Sequence, residues 1–245
     1  MAELDPQQPG AEKGFSRQHQ LPLEVKLRDD ATLDNFLALP RVEPLVRALR
    51  VQLESDGEPI IYLYGPAGSG KTHLLQASCH LSDAGTVYLP LKELAQYTAE
   101  DVLQGVEQLD RVCIDDLNVV LGDVQWERAL FNLYNNARQR GCRLVVAGDA
   151  APRALTVELD DLRSRLSGGI VYQLADADDD DKASILQFRA ARRGLSLSAE
   201  VANFIVTRAP REMEHLLEVL DKLDNASLSQ KRALSIPFVK QALGW

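Results

Sequence analysis

The sequence has 245 residues, which allows one large domain or a domain with a small appendage, and its formal net charge is −9 at pH 7. That charge argues against a large electrostatic contact with DNA, although a local basic patch stays compatible with it. Cys79, Cys113 and Cys142 are odd in number, far apart and set in apolar surroundings, which excludes a disulfide framework or zinc spacing and indicates a reducing cytoplasm.

The first 27 residues form a predicted tail. Residues 1–19 are rich in Gln, Pro, Gly and charge, which predicts disorder, and they contain no signal-peptide core. No apolar run in the chain reaches transmembrane length, so we expect no membrane association. Residues 20–25 are a compact apolar segment opened by a glutamine, and on composition alone they are typical of an edge strand or a hydrophobic staple onto the core.

The strongest motif is an octapeptide that fits G-x-x-x-x-G-K-[ST] at every required position: Gly65, Pro66, Ala67, Gly68, Ser69, Gly70, Lys71 and Thr72. Residues 60–64 before it are typical of a buried strand, and residues 73–77 after it of a helix start. Glycines let several backbone N–H groups converge on phosphate oxygens, and the helix N-terminus adds partial positive charge. We therefore expect a bound nucleoside di- or triphosphate, with Lys71 on the β- and γ-phosphates and the Thr72 hydroxyl on Mg²⁺.

Four further apolar runs predict strands that alternate with helices, at residues 86–89, 112–114, 143–149 and 170–174. The helices between them are predicted from apolar spacing in residues 44–54 and 126–137, and from Thr98, which can cap a helix with Asp101 at its third position. This alternation predicts an α/β base over residues 28–175, with a five-stranded parallel sheet covered by helices on both faces.

Beyond residue 175 no further strand is predicted. An acidic cluster, Asp176 with residues 178–181, suits a helix N-terminus, and that helix should end near Gly194. Ser198 is predicted to cap a second helix, and Pro210 to lie in the first turn of a third. Residues 176–245 are therefore predicted to form a small helical lid.

Polar residues at the strand ends are the candidates for chemistry. Asp115 and Asp116 follow a buried strand, where Asp115 is expected to meet Mg²⁺ and Asp116 to position an attacking water, unless the pair is a simple cap. Asp149 could polarise the same water, or be an ordinary polar turn residue. Arg163 and Arg165 in the loop before the fifth strand, and Arg211 beside Pro210, either solvate the surface or reach phosphates.

Together these motifs resemble the AAA+ ATPases, and more closely the AAA+ region of the bacterial initiator DnaA over residues 28–225. The resemblance implies an adenine-side segment at 32–36, in which Leu33 and Phe36 bind nucleotide together with His73. It also implies that Arg211 faces the chain's own nucleotide. The other matching stretches are Gly70 to Leu75, Ile114 to Asp116, Gly148-Asp149 with Pro152, Arg163 to Leu166, and Arg211 to Met213.

Two departures from DnaA make the chain more similar to the Hda family of DnaA-homologous regulatory inactivators. The sequence ends after the lid, without the DNA-binding helix-turn-helix of the initiator, and residues 234–240 are similar to the C-terminus of that family. The tail also contains a segment that resembles its clamp-binding peptide, formed by Gln20, Leu21, Pro22 and Leu23.

Membership of that family implies a regulator of replication initiation. Bound to ADP or ATP, such a protein docks on the DNA-loaded sliding clamp, touches DNA mostly through the clamp, and stimulates ATP hydrolysis by DnaA. The resemblance assigns Arg165 as the arginine that acts in trans on DnaA. Whether this chain hydrolyses ATP itself, and whether it forms a homo-oligomer, are left open.

Two other functions are compatible with a phosphate-binding loop. A DnaC-type helicase loader would need an N-terminal helicase-binding domain, for which nineteen residues before Gln20 are too few. A small-molecule kinase would have a substrate pocket, no use for arginines at a subunit edge, and no glutamine-led tail peptide.

Overall fold

The computed structural model describes residues 26–81, 85–230 and 233–245, so the predicted clamp-binding segment at 20–25 lies outside the described residues. The strands are β1 (Ile60–Tyr64), β2 (Thr86–Pro90), β3 (Arg111–Asp115), β4 (Arg143–Gly148) and β5 (Ile170–Gln173). The α-helices are α1 (Glu43–Val51), α2 (Lys71–Cys79), α3 (Leu91–Leu94), α4 (Ala99–Leu103), α5 (Val124–Arg140), α6 (Asp160–Ser167), α7 (Asp179–Arg192), α8 (Ala199–Arg208), α9 (Met213–Gln230) and α10 (Ile236–Leu243). Short 3-10 helices lie at Leu33–Asn35, Val106–Gln108, Leu117–Val119 and Pro152–Ala154.

The five strands form one parallel sheet in the order β2-β3-β4-β1-β5, which confirms the predicted fold class. Alternate side chains of each strand point to opposite faces. Tyr62 and Val146 join one buried cluster with α5 and α6, whereas Ile61 and Val145 join the cluster under α1 and α2. The sheet is therefore covered on both faces by helices.

Helices α7 to α10 bury a third cluster of their own. As predicted, α7 begins in the acidic run and ends at Arg192, and Ser198 caps α8 by accepting a hydrogen bond from Val201 N. The prediction for Pro210 was wrong, because α9 begins only at Met213 and Pro210 lies outside the helix, before the bend at residues 211–212. Within the described residues, no helix is both long enough and apolar enough to cross a bilayer.

The prediction that Arg163 and Arg165 lie in the loop before the last strand was wrong. Both are on α6, an eight-residue helix that ends two residues before β5. Six of its eight residues are polar, and only Leu162 and Leu166 are buried. The two leucines are four residues apart and so lie on one side of the helix, which leaves Arg165 free to face outward.

Candidate functional site

Three strand ends bring the predicted phosphate-binding residues together. In the sheet, β3, β4 and β1 are neighbours, and all three run in the same direction. Their carboxyl ends carry Asp115 and Asp116, then Asp149, then the loop 65–70. Open parallel sheets bind ligands in the crevice at this edge. The fold therefore gathers the motifs that are far apart in the sequence.

The loop itself depends on two glycines. At Gly65 a Cβ atom would lie 2.1 Å from the carbonyl oxygen of Leu174, at the end of β5, so no larger residue fits. Gly70 has φ of 94° in the left-handed region, and a Cβ there would lie 2.9 Å from a ring carbon of Phe36. The second glycine therefore lets the loop turn into α2 while the Phe36 ring packs against it.

Lys71 is folded onto the loop that precedes it. Its ammonium group donates hydrogen bonds to the carbonyl oxygens of Gly65 at 2.7 Å and Pro66 at 2.8 Å. Burial lowers the pKa of Lys71, while the nearby charges of Asp115, Asp116 and Asp149 act in the opposite direction. The three carboxylates therefore help to keep the ammonium charged beside the loop.

Asp115 is held by the protein from two sides. It is only 1% exposed, accepts a hydrogen bond from the Tyr88 hydroxyl at 2.9 Å, and accepts another from the Asp116 N–H at 3.0 Å. Tyr88 was not predicted as a site residue. Its sequence signal is weak, since it is one tyrosine in a mostly apolar strand, β2, that pairs with β3.

Asp116 has an unusual backbone. Its φ of 54° makes it the one non-glycine residue with positive φ in the described part of the chain. Burial, and then the charge of Asp115, raise the pKa of Asp116, and the charges of Lys92 and Lys71 oppose that rise. A raised pKa and a left-handed backbone are both features of candidate functional residues, so Asp116 stays a candidate for chemistry.

Asp149 is exposed and follows the end of β4. Tyr62, on the adjacent β1, donates its hydroxyl hydrogen bond to the Ala150 carbonyl at 3.0 Å. Burial raises the pKa of Tyr62, and the negative charge of Asp149 raises it further. Asp149 therefore lies near both Tyr62 and Lys71, at the same edge as Asp116.

The predicted adenine-side segment lies against the phosphate-binding loop. Leu33 is buried, the Phe36 ring lies 5.5 Å from that of His73, and His73 Nε2 lies 2.9 Å from the Thr32 carbonyl. Burial lowers the pKa of His73, and the hydrogen bond to Thr32 offsets this only in part. The lowered pKa favours the neutral imidazole. The structure thus brings Leu33, Phe36 and His73 together beside the phosphate-binding loop.

A lid residue that was not predicted joins this segment to α7. Arg189 is 5% exposed and donates to the Asn35 carbonyl at 3.0 Å and to an Asp30 carboxylate oxygen at 2.6 Å. The sequence contains one signal for this contact. An arginine lies on the buried face of α7, next to Ala190 and one turn after Leu186. A cation on an apolar helix face needs an anionic or carbonyl partner elsewhere.

The three predicted arginines differ in their surroundings. Arg163 is tied to its own segment, with bonds to Asp160 and to the Val157 carbonyl, both at 3.2 Å. Arg165 is exposed, with its guanidinium 5.7 Å from the centre of the Phe131 ring. Arg211 is exposed in the bend before α9. Only Arg165 combines exposure with a ring that holds its guanidinium.

The residues of the loop fit a nucleotide phosphate with Mg²⁺. Residues 66–68 and Thr72 are exposed, which places the backbone N–H groups of Ala67 and Gly68 and the Thr72 hydroxyl at accessible positions. Ser69 Oγ is buried without a hydrogen-bond partner among the described residues. With Lys71 and Asp115 these supply a cation, a hydroxyl and a carboxylate, the donors that phosphate and Mg²⁺ require.

Comparison with known proteins agrees with this geometry. The profile of the bacterial DnaA ATPase domain matches residues 46–173, and that of the Hda lid domain matches residues 179–243. The chain belongs to the DnaA-related AAA+ family. A protein of Haemophilus influenzae described as uncharacterized is 43% identical over 228 residues, covering 91% of this chain and 98% of its own.

Solved structures of DnaA and of RuvB share the fold. Domain III of the replication initiation protein DnaA from Thermotoga maritima has a TM-score of 0.73 at 24% identity, over 89% of this chain and 98% of that one. AMPPCP-bound DnaA from Aquifex aeolicus has a TM-score of 0.68 at 25% identity, over 84% and 69% of the two chains. A mutant of RuvB from Thermotoga maritima has a TM-score of 0.66 at 18% identity, over 87% and 71%.

These matches identify the coarse role of this DnaA-related AAA+ protein. A DnaA-type ATPase base followed by an Hda-type lid indicates a DnaA-related replication regulator that binds nucleotide. The phosphate-binding loop, the Asp115-Asp116 strand end and the lid were all identified from sequence motifs. Tyr88 and Arg189 were found only from the structure.

Proposed function

We propose that this DnaA-related AAA+ protein inactivates the initiator DnaA. It binds ADP or ATP with Mg²⁺, docks on the DNA-loaded sliding clamp through Gln20 to Leu23, and presents Arg165 to the ATP of a neighbouring DnaA. The observation that carries the proposal is the exposed Arg165, held beside Phe131 on a helix whose other arginine, Arg163, is tied to its own segment.

Nucleotide binding uses the loop and the two strand ends next to it. Lys71 would exchange its two carbonyl partners for phosphate oxygens, with Thr72 and Asp115 holding the metal. Bound Mg²⁺ would neutralise charge on the β- and γ-phosphate oxygens. Leu33, Phe36 and His73 would line the adenine side, and Arg211 would reach the phosphates from the lid. Any ATP hydrolysis by the chain itself would use Asp116 and Asp149 to orient water.

Arginine suits the proposed action in trans. Its planar guanidinium stays protonated and can hold two oxygens at once, whereas lysine is a point charge on a flexible stem. Charge that grows on a transferred γ-phosphoryl group is stabilised by such a residue, and fingers supplied in trans contribute about 10³–10⁵ in rate. The ring of Phe131 restricts where the Arg165 guanidinium can lie before it meets a partner.

The test mixes ATP-loaded DnaA, DNA-loaded clamp and each variant, and follows ADP formed on DnaA. Arg165→Ala should lose stimulation while keeping nucleotide and clamp binding, and Arg165→Lys should recover little. The matched control is Arg153→Ala, which removes an exposed arginine from the 3-10 helix before α6. Full stimulation by Arg165→Ala would refute the assignment and leave Arg163, or a purely conformational effect, as the explanation.

A further inference from the structure

A buried carboxylate that no predicted role uses lies beside the arginine helix. Glu127, in the first turn of α5, is 0% exposed. One of its oxygens, Oε1, accepts hydrogen bonds from the N–H groups of Gly122 at 2.8 Å and Glu158 at 3.1 Å, and Oε2 accepts one from Leu159 at 2.7 Å. A buried carboxylate is tolerated only where donors of this kind meet it.

The three donors belong to two different loops. Gly122 lies in the segment that follows Asp116 and leads into α5. Glu158 and Leu159 lie more than thirty residues later, in the segment that leads into α6. Glu127 therefore fastens the loop after the Asp115-Asp116 strand end to the beginning of the helix that carries Arg165.

The beginning of α6 has no cap of its own. The residue at its N-cap is Leu159, whose side chain cannot accept a hydrogen bond, and no side-chain cap bond is formed there. Helix N-termini need acceptors for their free N–H groups and favour negative charge nearby. The Glu127 carboxylate supplies a charge and an acceptor at this position from another helix.

We propose that Glu127 is a positioning residue: by holding the start of α6, it fixes where Arg165 projects from the protein surface. Arg165 is six residues after Leu159, on the last turn of the same short helix. A tilt of α6 at its anchored end would therefore displace the guanidinium. This inference rests on the proposed function for its kinetic consequence, but the anchoring of α6 is measurable without any partner.

The first arm of the test measures amide hydrogen exchange in the full-length chain. The Leu159 amide should be protected in the wild type although it precedes the helix. In Glu127→Gln the side-chain oxygen can stay with Gly122 and Glu158, but the amide group then faces the Leu159 N–H. Exchange at Leu159 and in the first turn of α6 should rise by about tenfold or more, the factor expected for one lost bond to a charged acceptor.

The matched control for this arm is Glu158→Gln, which makes the same chemical change on an exposed side chain at the same loop. It should leave exchange in α6 unchanged. An equal rise over β1, β3 and α6 would mean that Glu127 only stabilises the fold, and would overturn the proposal. Fast exchange of Leu159 in the wild type would also overturn it, and that measurement needs no variant to fold.

The second arm measures stimulated ATP hydrolysis on DnaA at a temperature well below the melting temperature of each variant. Glu127→Gln should lower the maximal stimulated rate by up to about 100-fold, because a misplacement near 1 Å has effects of that size. The concentration that gives half-maximal stimulation, and nucleotide binding, should not change. Glu127→Asp, which keeps the charge but shortens the reach, should show the same pattern.

The double variant separates positioning from stability. In an Arg165→Ala background, Glu127→Gln should have no further effect on the rate, since the group that it positions is gone. An additive loss would contradict the proposal. If the wild type fails to stimulate DnaA at all, the proposed function is wrong, whereas the exchange data still decide whether Glu127 anchors α6.

Discussion

Two charged residues at the phosphate-binding edge are held by the protein before any ligand binds. Lys71 is bonded to two loop carbonyls, and Asp115 is bonded to Tyr88 and to the Asp116 N–H. For Asp115 this pre-positioning reduces the ordering required when a ligand binds, whereas Lys71 must first leave its two carbonyl partners. It also means that each contact can be removed singly, with a separate expected effect.

Removing the lysine should abolish nucleotide-linked stabilisation and spare the fold. Lys71 lies at a half-buried position outside the apolar core, so in Lys71→Ala the melting temperature without ligand should change little. A ligand at about 100 times its Kd adds roughly 2.7 kcal/mol to the wild type. Thermal melts with and without ADP measure the difference, and Lys222→Ala, an exposed lysine on the lid, is the control. An equal ADP shift in wild type and Lys71→Ala would show that the loop does not bind the phosphates.

Removing the Tyr88 hydroxyl should weaken the metal contribution. Tyr88→Phe keeps the ring but deletes the donor that orients Asp115, and losing such an outer partner lowers metal affinity by about 10–100-fold. Nucleotide titrations at several Mg²⁺ concentrations should show the loss, while titrations in a chelator should not. Tyr97→Phe, which alters an exposed tyrosine, should behave as wild type. The idea fails if Tyr88→Phe weakens binding equally with and without Mg²⁺.

At the scale of elements, two ion pairs between described residues join the lid to the base. Arg189 of α7 contacts Asp30, and Arg41, just before α1, contacts Asp181 of α7. Burial alone would raise the pKa of Asp30, but hydrogen bonds from Arg28 and Arg189 and their charges lower it below 3.8. A hydrogen bond from Arg41 is the main cause that lowers the pKa of Asp181.

The Asp30 contact gives a pH dependence with a defined sign. A carboxylate whose pKa is lowered in the folded state contributes stability above its unfolded pKa, and loses it as pH falls through the folded value. Arg189→Gln should therefore be less stable than wild type at neutral pH, and the difference should shrink below about pH 3.8.

Urea unfolding over a pH series measures this difference. Arg208→Gln, which alters an exposed lid arginine, is the control and should match wild type throughout. A difference between wild type and Arg189→Gln that stays constant down to the lowest pH would show that the carboxylate of Asp30 contributes nothing.

Helices and strands could be predicted where the residues that determine them are close together in the sequence. They could not be predicted where a stabilising contact comes from a distant part of the chain. The strand bounds were predicted to within one or two residues, because apolar runs end at Gly, Pro or Asp. The cap of α4 was also predicted correctly, since Thr98 accepts the bond from Asp101 three residues later. Helix α6 was missed because it is mostly polar and its N-terminus is satisfied by Glu127, far away in the sequence.

The same distinction between local and distant signals holds for the residues of the candidate nucleotide site. Lys71, Thr72 and Asp115 were predicted because their motif encodes both residue type and spacing. Tyr88 and Arg189 act through contacts that only the sheet order and the docking of α7 create. No spacing rule connects Arg189 to Asn35, since the two lie 154 residues apart.

For the whole molecule, the proposed function needs three parts to act together: a nucleotide site, an arginine helix and a clamp-binding segment. Tethering to DNA-loaded clamp would raise the effective concentration of Arg165 near DnaA on the same DNA. The tether and the chemistry should therefore be separable by mutation.

Changing Gln20 and Leu21 to alanine should abolish clamp association, because a short segment that orders on binding depends on few anchors. Nucleotide binding should be unchanged, and stimulation of DnaA should be lost at low protein concentration but regained at high concentration. Surface-immobilised clamp measures the association, and Gln18→Ala, two residues outside the segment, is the control. Wild-type clamp binding by the double variant would mean that residues 20–23 have another role.

The backbone of Asp116 places thermal stability in conflict with the water-orienting role proposed for its carboxylate. At a φ of 54° glycine is more stable than aspartate by about 1 kcal/mol. Variants that gain heat resistance at this position would therefore be those that discard its carboxylate. A homologue that keeps aspartate here would have a lower melting temperature than one with glycine. On the proposed role of Asp116, a variant stabilised by glycine at this position would have lost the carboxylate that orients water, and its activity would not represent that of the natural protein.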